Sequence, residues 1–167
     1  MRDIYVLMLS VHGLMRGHDL ELGRDADTGG QTLYVVELAR ALGRHPRIEQ
    51  VDVVTRLVDD ASVSPDYAVP SEALGERARL VRLPCGPRRY LRKESLWSHL
   101  DQLVDRTLSY LRQQPRLPDV IHSHYADAGY VGVHLSQLLG VPLVHTGHSL
   151  GRCKRQRLLD HGRKAQA

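Results

Sequence analysis

The chain has 167 residues, enough for one domain with a hydrophobic core, and its 42% apolar and 25% charged residues are ordinary for a globular protein. The net charge of +4 favours an acidic or phosphorylated ligand, but the basic residues are scattered and few aromatic side chains are available for base stacking. These features argue against a nucleic-acid-binding protein, and the lack of about 18 continuous apolar residues argues against a membrane-spanning one.

The cysteines and the N-terminal residues indicate the compartment. Cys85 and Cys153 are isolated and form no CxxC pair, which fits reduced thiols better than a disulfide framework. The first residues lead directly into a short apolar run and offer no signal-peptide cleavage pattern. We therefore expect a cytoplasmic protein.

Strand-like runs alternate with helical patterns along the chain. The strands are predicted at residues 4–9, 51–55, 79–83, 120–123 and 142–146, and the helices at 31–42, 95–112 and 126–139. Short β-rich runs separated by amphipathic helices are typical of a parallel sheet with helices on both faces. The predicted fold class is therefore α/β with a Rossmann-like parallel sheet.

The first strand leads into a long polar loop that ends where the first helix begins, at Thr28, Gly29, Gly30 and Gln31. Two glycines at a helix start let a ligand come close to the backbone, and the unpaired N–H groups there favour anions. The spacing is not the GxGxxG fingerprint, so a glycine-rich turn that only starts the helix is an equal alternative. Gly43 is predicted to cap the other end of this helix.

The remaining segments carry three expectations. Residues 58–76 lack clear periodicity and predict a surface excursion between strands. The long helix is expected to bury a leucine stripe, which consists of Leu96, Leu100, Leu103, Leu108 and Leu111. Residues 151–167 are strongly basic and are expected to form a terminal helix or the start of another domain.

Three polar clusters follow predicted strands. They are Gly29–Gly30–Gln31, the run His122-Ser123-His124-Tyr125-Ala126-Asp127, and the run from Thr146 to Arg152. In open parallel sheets, ligands bind outside the carboxyl ends of the strands. We therefore expect these loops to converge on one site.

The histidines and Lys154 each allow two interpretations. His122 and His124 are two apart, so their side chains share one face of a strand. No Glu or Cys joins them at ligand spacing, so hydrogen bonds to backbone at the strand exit are favoured over a metal, and no metal is predicted. His148 is a candidate general base or ligand of a substrate hydroxyl, with a packed neutral histidine as the equal alternative. Lys154 could reach a phosphate, and a solvated lysine is the plainer interpretation.

Three long segments carry a family resemblance: HGLMRGHDLELGRDADTGGQTLYVVELARAL, LPCGPRRYLRKESLW and HSHYADAGYVGVHLSQLLGVPLVHTGHSLGRCK. They resemble the sucrose-phosphate synthase family and, more broadly, the sucrose synthase group of retaining glycosyltransferases. The resemblance extends from about Ile4 to Gly162, which is nearly the entire chain.

The resemblance implies one half of a GT-B fold, in which two Rossmann-like halves face each other. Residues 1–167 resemble the N-terminal half, which holds the sugar acceptor, and a separate domain that holds most of the nucleotide sugar is the expected partner. The family's acidic ExxxxxxxE donor motif has no counterpart in these residues. The chain on its own is therefore expected to lack catalysis.

The implied reaction transfers glucose from UDP-glucose to the 2-hydroxyl of fructose 6-phosphate, giving sucrose 6-phosphate and UDP. UDP-glucose is a donor substrate, and no cofactor is implied. In the front-face mechanism assigned to such enzymes, the leaving diphosphate helps to deprotonate the acceptor. The protein then supplies positioning and charge stabilisation rather than a covalent nucleophile.

The resemblance also implies roles for residues at matching positions. Gly29, Gly30 and Gln31 resemble the loop that closes over the donor diphosphate and the acceptor. His148 resembles the histidine that hydrogen-bonds the reacting sugars, so Gly30 and His148 are the candidate catalytic residues. The other candidates resemble acceptor-side contacts, mostly to phosphate, and are Lys93, Tyr125, Ser149 and Lys154. Cys153 stands where an acidic or amide residue is commoner.

Two alternatives stay open. A sucrose synthase-type domain would use unphosphorylated fructose, and the cluster of Lys93 with Arg88, Arg89 and Arg92 favours the phosphorylated acceptor instead. A non-catalytic sugar-phosphate-binding module is the second alternative. Without the resemblance, Lys93 would be interpreted as part of a solvated charge run.

Overall fold

Residues 3–149 are described by the computed structural model, and they form an α/β sheet structure. The strands are β1 (Ile4–Leu9), β2 (Ile48–Arg56), β3 (Ser71–Ala73), β4 (Ala78–Leu83), β5 (Val120–His124) and β6 (Leu143–Thr146). The α-helices are α1 (Gly30–Arg44), α2 (Leu100–Leu111) and α3 (Tyr125–Leu139), and 3-10 turns lie at Pro65–Ala68, Lys93–Ser95 and Trp97–His99.

The strands form one sheet in the order β3-β4-β2-β1-β5-β6. Every pairing is parallel except that of the edge strand β3, which runs antiparallel to β4. The chain builds outward from β1 through β2 and β4, then returns to the other side of β1 with β5. The strand order therefore reverses between β1 and β5, and a crevice opens there at the carboxyl ends of the strands.

Helices cover both faces of the sheet. Because successive side chains of a strand point to opposite faces, Val6 and Met8 of β1 pack under α1, and Leu7 and Leu9 pack toward α2 and α3. Strands buried on both faces are typical of parallel sheets. The predicted α/β, Rossmann-like fold class is confirmed.

The predicted cap at Gly43 is wrong. Helix α1 continues through Arg44 and is capped by His45, and Gly43 has no positive φ. Gly43 instead faces β4, where an added Cβ would lie 3.1 Å from the Cβ of Ala78. The missing side chain therefore lets the helix approach the sheet closely.

The prediction for residues 58–76 is wrong in part. The segment contains the 3-10 turn Pro65–Ala68 and the edge strand β3, and it buries Val58, Tyr67 and Leu74. The expected leucine stripe is confirmed: Leu96, Leu100, Leu103 and Leu111 are buried, and Leu108 is partly buried against the same cluster. Helix α2 begins later than predicted, because two 3-10 turns precede it.

The last expectations concern membrane spanning and the C-terminal residues. Within residues 3–149, no helix is both long enough and apolar enough to cross a bilayer. The expectations for residues 151–167, including those for Lys154 and Cys153, lie outside the described part of the chain.

Candidate functional site

The predicted polar clusters converge on an open cleft of about 270 Å³ at the carboxyl end of the sheet. Its lining residues are His12, Ala26, Asp27, Gly29, Gly30, Gln31, Lys93, Tyr125 and His148. Six of the eight candidate site residues therefore line a single cleft, at the position where the strand order reverses. Topology brings them together, because the glycine pair and Gln31 follow β1, and Lys93, Tyr125 and His148 follow β4, β5 and β6.

The amino-terminal end of α1 forms one wall of the cleft. Gly29 is the N-cap and has no capping side chain, and the first turn contains no acidic residue. Neither Gly29 nor Gly30 has a positive φ, so the backbone conformation alone does not require glycine here. A Cβ at either position would meet no atom within 4 Å. The two glycines therefore keep space open beside N–H groups that attract an anion.

Lys93 is held in the cleft by Asp27, which is 5% exposed. One oxygen of Asp27 accepts a 2.8 Å hydrogen bond from the backbone N–H of Lys93, and the other pairs with its ammonium group. The bond between the ammonium group of Lys93 and the carboxylate of Asp27 is the main cause of the raised pKa of Lys93. With a side chain only 22% exposed, Lys93 is a positioned cation rather than part of a solvated charge run.

The loop that carries Asp27 is itself fixed by hydrogen bonds. The carboxylate of Asp25 accepts bonds from the backbone N–H groups of Asp27 and Thr28, and from the hydroxyl of Tyr90 at 2.9 Å. The hydroxyl of Thr28 accepts a 3.0 Å bond from the N–H of Leu14. The segment before α1 is therefore tied both to the loop after β1 and to the segment that leads to Lys93.

The histidines at the ends of β5 and β6 form side-chain pairs. Nε2 of His122 lies 2.8 Å from the hydroxyl of Thr146, and Nδ1 of His124 lies 2.9 Å from Nε2 of His148. The rings of His122 and His124 share one face, with centroids 4.1 Å apart, as predicted. The expected backbone partners are wrong: the partners are the side chains of Thr146 in β6 and of His148, two residues after β6.

Loss of solvation favours the neutral form of these histidines. It lowers the pKa of His124 to about 3 and also lowers the pKa of His122 and of His148. Among residues 3–149, no group of three or more His, Cys, Asp or Glu side chains is arranged to hold a metal ion.

His12 and Asp127 form a buried pair that the sequence analysis did not single out as a site. Nδ1 of His12 lies 2.7 Å from Oδ2 of Asp127, and the two residues are 6% and 1% exposed. The ring of Tyr125 meets the ring of His12 edge-on, with centroids 4.7 Å apart. His12 could have been found from its place shortly after the central strand β1, because polar residues at that edge face the cleft.

Backbone strain is concentrated at the cleft. Among residues 3–149, three non-glycine residues have a positive φ, and two of them, Tyr125 at 75° and His148 at 53°, line the cleft. Such conformations cost about 1–3 kcal/mol each and cluster at functional sites. Ser149 is not among the lining residues; its N–H closes a tight turn onto the carbonyl of Gly147 at 2.5 Å.

Comparison with known proteins decides the family. Residues 29–167 match the family described as glycosyl transferase 4-like domain. The chain belongs to this family. The resemblance to sucrose-phosphate synthases is also confirmed: the sucrose-phosphate synthase of Zea mays is 46% identical over 190 aligned residues, which cover 99% of this chain and 18% of that protein. Sucrose-phosphate synthase 4 of Arabidopsis thaliana is 44% identical, covering 97% of this chain and 17% of the relative.

A solved structure agrees with this assignment. A sucrose-phosphate synthase from Thermosynechococcus elongatus superimposes with a TM-score of 0.75 at 29% identity, over 92% of this chain and 35% of that chain. The chain therefore has the fold of one half of a GT-B glycosyltransferase. The chain spans less than a fifth of the length of the curated relatives named above.

Proposed function

We propose that the cleft is the acceptor site of a sucrose-phosphate synthase, and that it binds fructose 6-phosphate. The named relatives are sucrose-phosphate synthases of which this chain covers a small part. The observation that carries the proposal is the pairing of two independent anion-binding elements in one cleft. They are the uncapped start of α1 at Gly29 and Gly30, and the ammonium group of Lys93.

These two elements suit a phosphorylated sugar better than a neutral one. A helix N-terminus and a positioned ammonium group both stabilise negative charge, and neither gains much from a hydroxyl group. A plain fructose acceptor would leave Lys93 with only its carboxylate partners, Asp27 and Glu94. Tyr125 lines the same cleft and is proposed as a further phosphate contact.

In the proposed reaction, glucose moves from UDP-glucose to the 2-hydroxyl of fructose 6-phosphate. The bond from the anomeric carbon to the diphosphate breaks, a bond to the acceptor oxygen forms, and the hydroxyl proton passes to the leaving diphosphate. The N–H groups at Gly30 would stabilise the charge that develops on diphosphate oxygens. No resident cofactor or metal takes part in this proposal.

The proposal also includes a second domain, two further acceptor contacts and a cellular location. A second domain, outside residues 1–167, would bind most of the donor. Ser149 and Lys154 stay predicted acceptor contacts. A cytoplasmic location is supported by Cys85, which is a buried free thiol.

Calorimetric titration of the chain with fructose 6-phosphate, fructose and inorganic phosphate tests the proposal. We expect the phosphosugar to bind best. A hydrogen bond to a charged group contributes about 1.5–3 kcal/mol, so Lys93→Ala should weaken its binding by about 10-fold or more. Arg88→Ala is the matched control, because it removes a cation from the same segment at a position that is 74% exposed and outside the cleft lining.

The alternatives give different results. Equal or tighter binding of plain fructose would refute the phosphate site and favour a sucrose synthase-type acceptor. An equal loss of affinity in Arg88→Ala would mean that net charge, rather than Lys93, attracts the ligand. Failure of fructose 6-phosphate to bind would refute an acceptor site in these residues.

A further inference from the structure

Two histidines from neighbouring strands are joined by a hydrogen bond at the cleft. His124, the last residue of β5, is fully buried, and its Nδ1 lies 2.9 Å from Nε2 of His148. His148 follows β6, is exposed and lines the cleft. The hydrogen bond therefore uses one ring nitrogen of each residue, and the nitrogen of His148 that is left for a ligand is Nδ1.

The hydrogen bond couples the proton positions of the two rings. A bond between neutral imidazoles needs one N–H and one bare nitrogen. If Nδ1 of His124 donates, Nε2 of His148 accepts, and both rings carry their proton on Nδ1. If Nε2 of His148 donates, both rings carry their proton on Nε2. The two residues must therefore have the same tautomer.

Nε2 of His124 distinguishes the two arrangements. This nitrogen is buried and has no hydrogen-bond partner among residues 3–149. The rings of His122 and Tyr34 lie beside the His124 ring, with centroids 4.1 Å and 5.9 Å from its own. Burial without a partner carries a desolvation penalty for a donor and for an acceptor alike, and of the two, orphaned buried N–H groups are the rarer in native structures. The arrangement with both protons on Nδ1 avoids an orphaned N–H.

We infer that His124 is a positioning residue that holds His148 as the Nδ1–H tautomer, so that His148 presents a hydrogen-bond donor to the cleft. This inference rests on the proposed function only in taking the ligand to be a sugar phosphate. A ring held in this way cannot remove a proton from a ligand hydroxyl, because its remaining nitrogen is already protonated. His148 is thereby a donor to a ligand oxygen and not a general base.

The backbone around His148 supports a fixed ring. His148 has a φ of 53°, and the N–H of Ser149 bonds to the carbonyl of Gly147 at 2.5 Å, which makes a tight three-residue turn centred on His148. A strained turn persists only where the surroundings determine it. The bond to His124, and the edge-on contact of His148 with the ring of Tyr34 at 5.2 Å, provide such surroundings.

Ring-nitrogen NMR of the full chain, labelled with ¹⁵N, measures the tautomer directly. The His148 signals are assigned by their loss in His148→Gln, and long-range ¹H–¹⁵N correlations at neutral pH report which nitrogen carries the proton. We expect Nδ1 of His148 to have the shift of a protonated nitrogen and Nε2 that of a bare one. The reverse pattern would overturn the inference.

Two variants at position 124 test whether His124 is responsible. His124→Asn places an amide N–H where Nδ1–H stood, so His148 should keep its tautomer. His124→Leu substitutes an apolar side chain of similar bulk and removes the donor, so the His148 shifts should move toward those of a mixture of tautomers. An unchanged His148 pattern in His124→Leu would refute the positioning role. If that variant does not fold, loss of the tautomer in His124→Asn would refute it instead.

A parallel titration of wild-type chain with fructose 6-phosphate separates this inference from the proposed function. The expected shifts without any binding would support the tautomer and refute the acceptor site. Binding together with the reversed shifts would support the acceptor site and refute the role of His124.

Discussion

Replacing Gly30 with alanine separates the two interpretations of the glycine pair at the start of α1. Gly30 is exposed, has no positive φ, and would place a Cβ with no atom within 4 Å. Alanine reduces the freedom of the unfolded chain at such a position and stabilises proteins by about 0.4–1 kcal/mol. For a chain of this size, that gain corresponds to a rise in Tm of about 1–4 °C.

Ligand binding should change in the opposite direction. The added methyl group would occupy the space beside the first N–H groups of α1, so an anion could no longer reach them. Loss of one charge-assisted hydrogen bond costs about 1.5–3 kcal/mol, so Gly30→Ala should bind fructose 6-phosphate at least 10-fold more weakly. Thermal unfolding and calorimetric titration of the same preparation measure the two effects.

Gly75→Ala is the matched control. Gly75 also has no positive φ and no atom within 4 Å of an added Cβ, and it lies outside the cleft lining. It should therefore gain a similar stability and bind as the wild type does. A Gly30→Ala protein that binds normally would refute close ligand approach, and one that loses stability would show that the turn itself requires glycine.

Three further predictions concern charge and burial. Asp27→Asn should lower the free energy of unfolding by about 1–3 kcal/mol in urea denaturation, because it removes the negative charge of a buried carboxylate that accepts a hydrogen bond from Lys93. Asp59→Asn, at an exposed position, is the control and should change the free energy of unfolding little. Asp52→Ala should lower the free energy of unfolding by about 3–5 kcal/mol, because this fully buried carboxylate accepts hydrogen bonds from Tyr5 at 2.6 Å and from Arg79 at 2.8 Å. A decrease of less than about 1 kcal/mol would contradict a stabilising role for these hydrogen bonds. Since burial lowers the pKa of His124 from 6.5 to about 3, the unfolded chain binds more protons over this range, and stability should fall as pH drops from 6.5 toward 3. His124→Asn should flatten that slope between pH 6.5 and 4.5, by up to about 1.4 kcal/mol per pH unit.

The sequence predicted the elements whose burial follows a simple period. The central strand β1 is buried on both faces, so its apolar run is continuous, and the leucines of α2 recur at helical spacing. Strand β3 escaped prediction because it has three residues and its position depends on pairing with β4. Gly43 was misassigned because a glycine near a helix end is compatible with a cap or with close packing, and only the neighbouring strand decides.

The candidate site was predictable to the extent that topology determines it. Residues after parallel strands share one edge of the sheet, so the convergence of Gly30, Tyr125 and His148 followed from the strand assignment, whereas Lys93 was implied only by the family resemblance. The hydrogen-bond partners that hold the site residues in place could not be predicted from the strand assignment. Asp27 acts on a residue 66 positions later, and His12 pairs with a residue 115 positions later. Pairings at such separations are determined by the packed fold and have no local pattern.

The glycine pair at the start of α1 has a consequence for mutational screens. A wall made of backbone N–H groups has no side chain to delete, so every substitution at Gly29 or Gly30 adds atoms to the cleft. Since a Cβ at either position would meet no atom within 4 Å, a library selected for solubility or heat resistance should accept many of these substitutions. A library selected for ligand capture should reject them, and the difference between the two selections would mark the ligand-facing backbone without a structure.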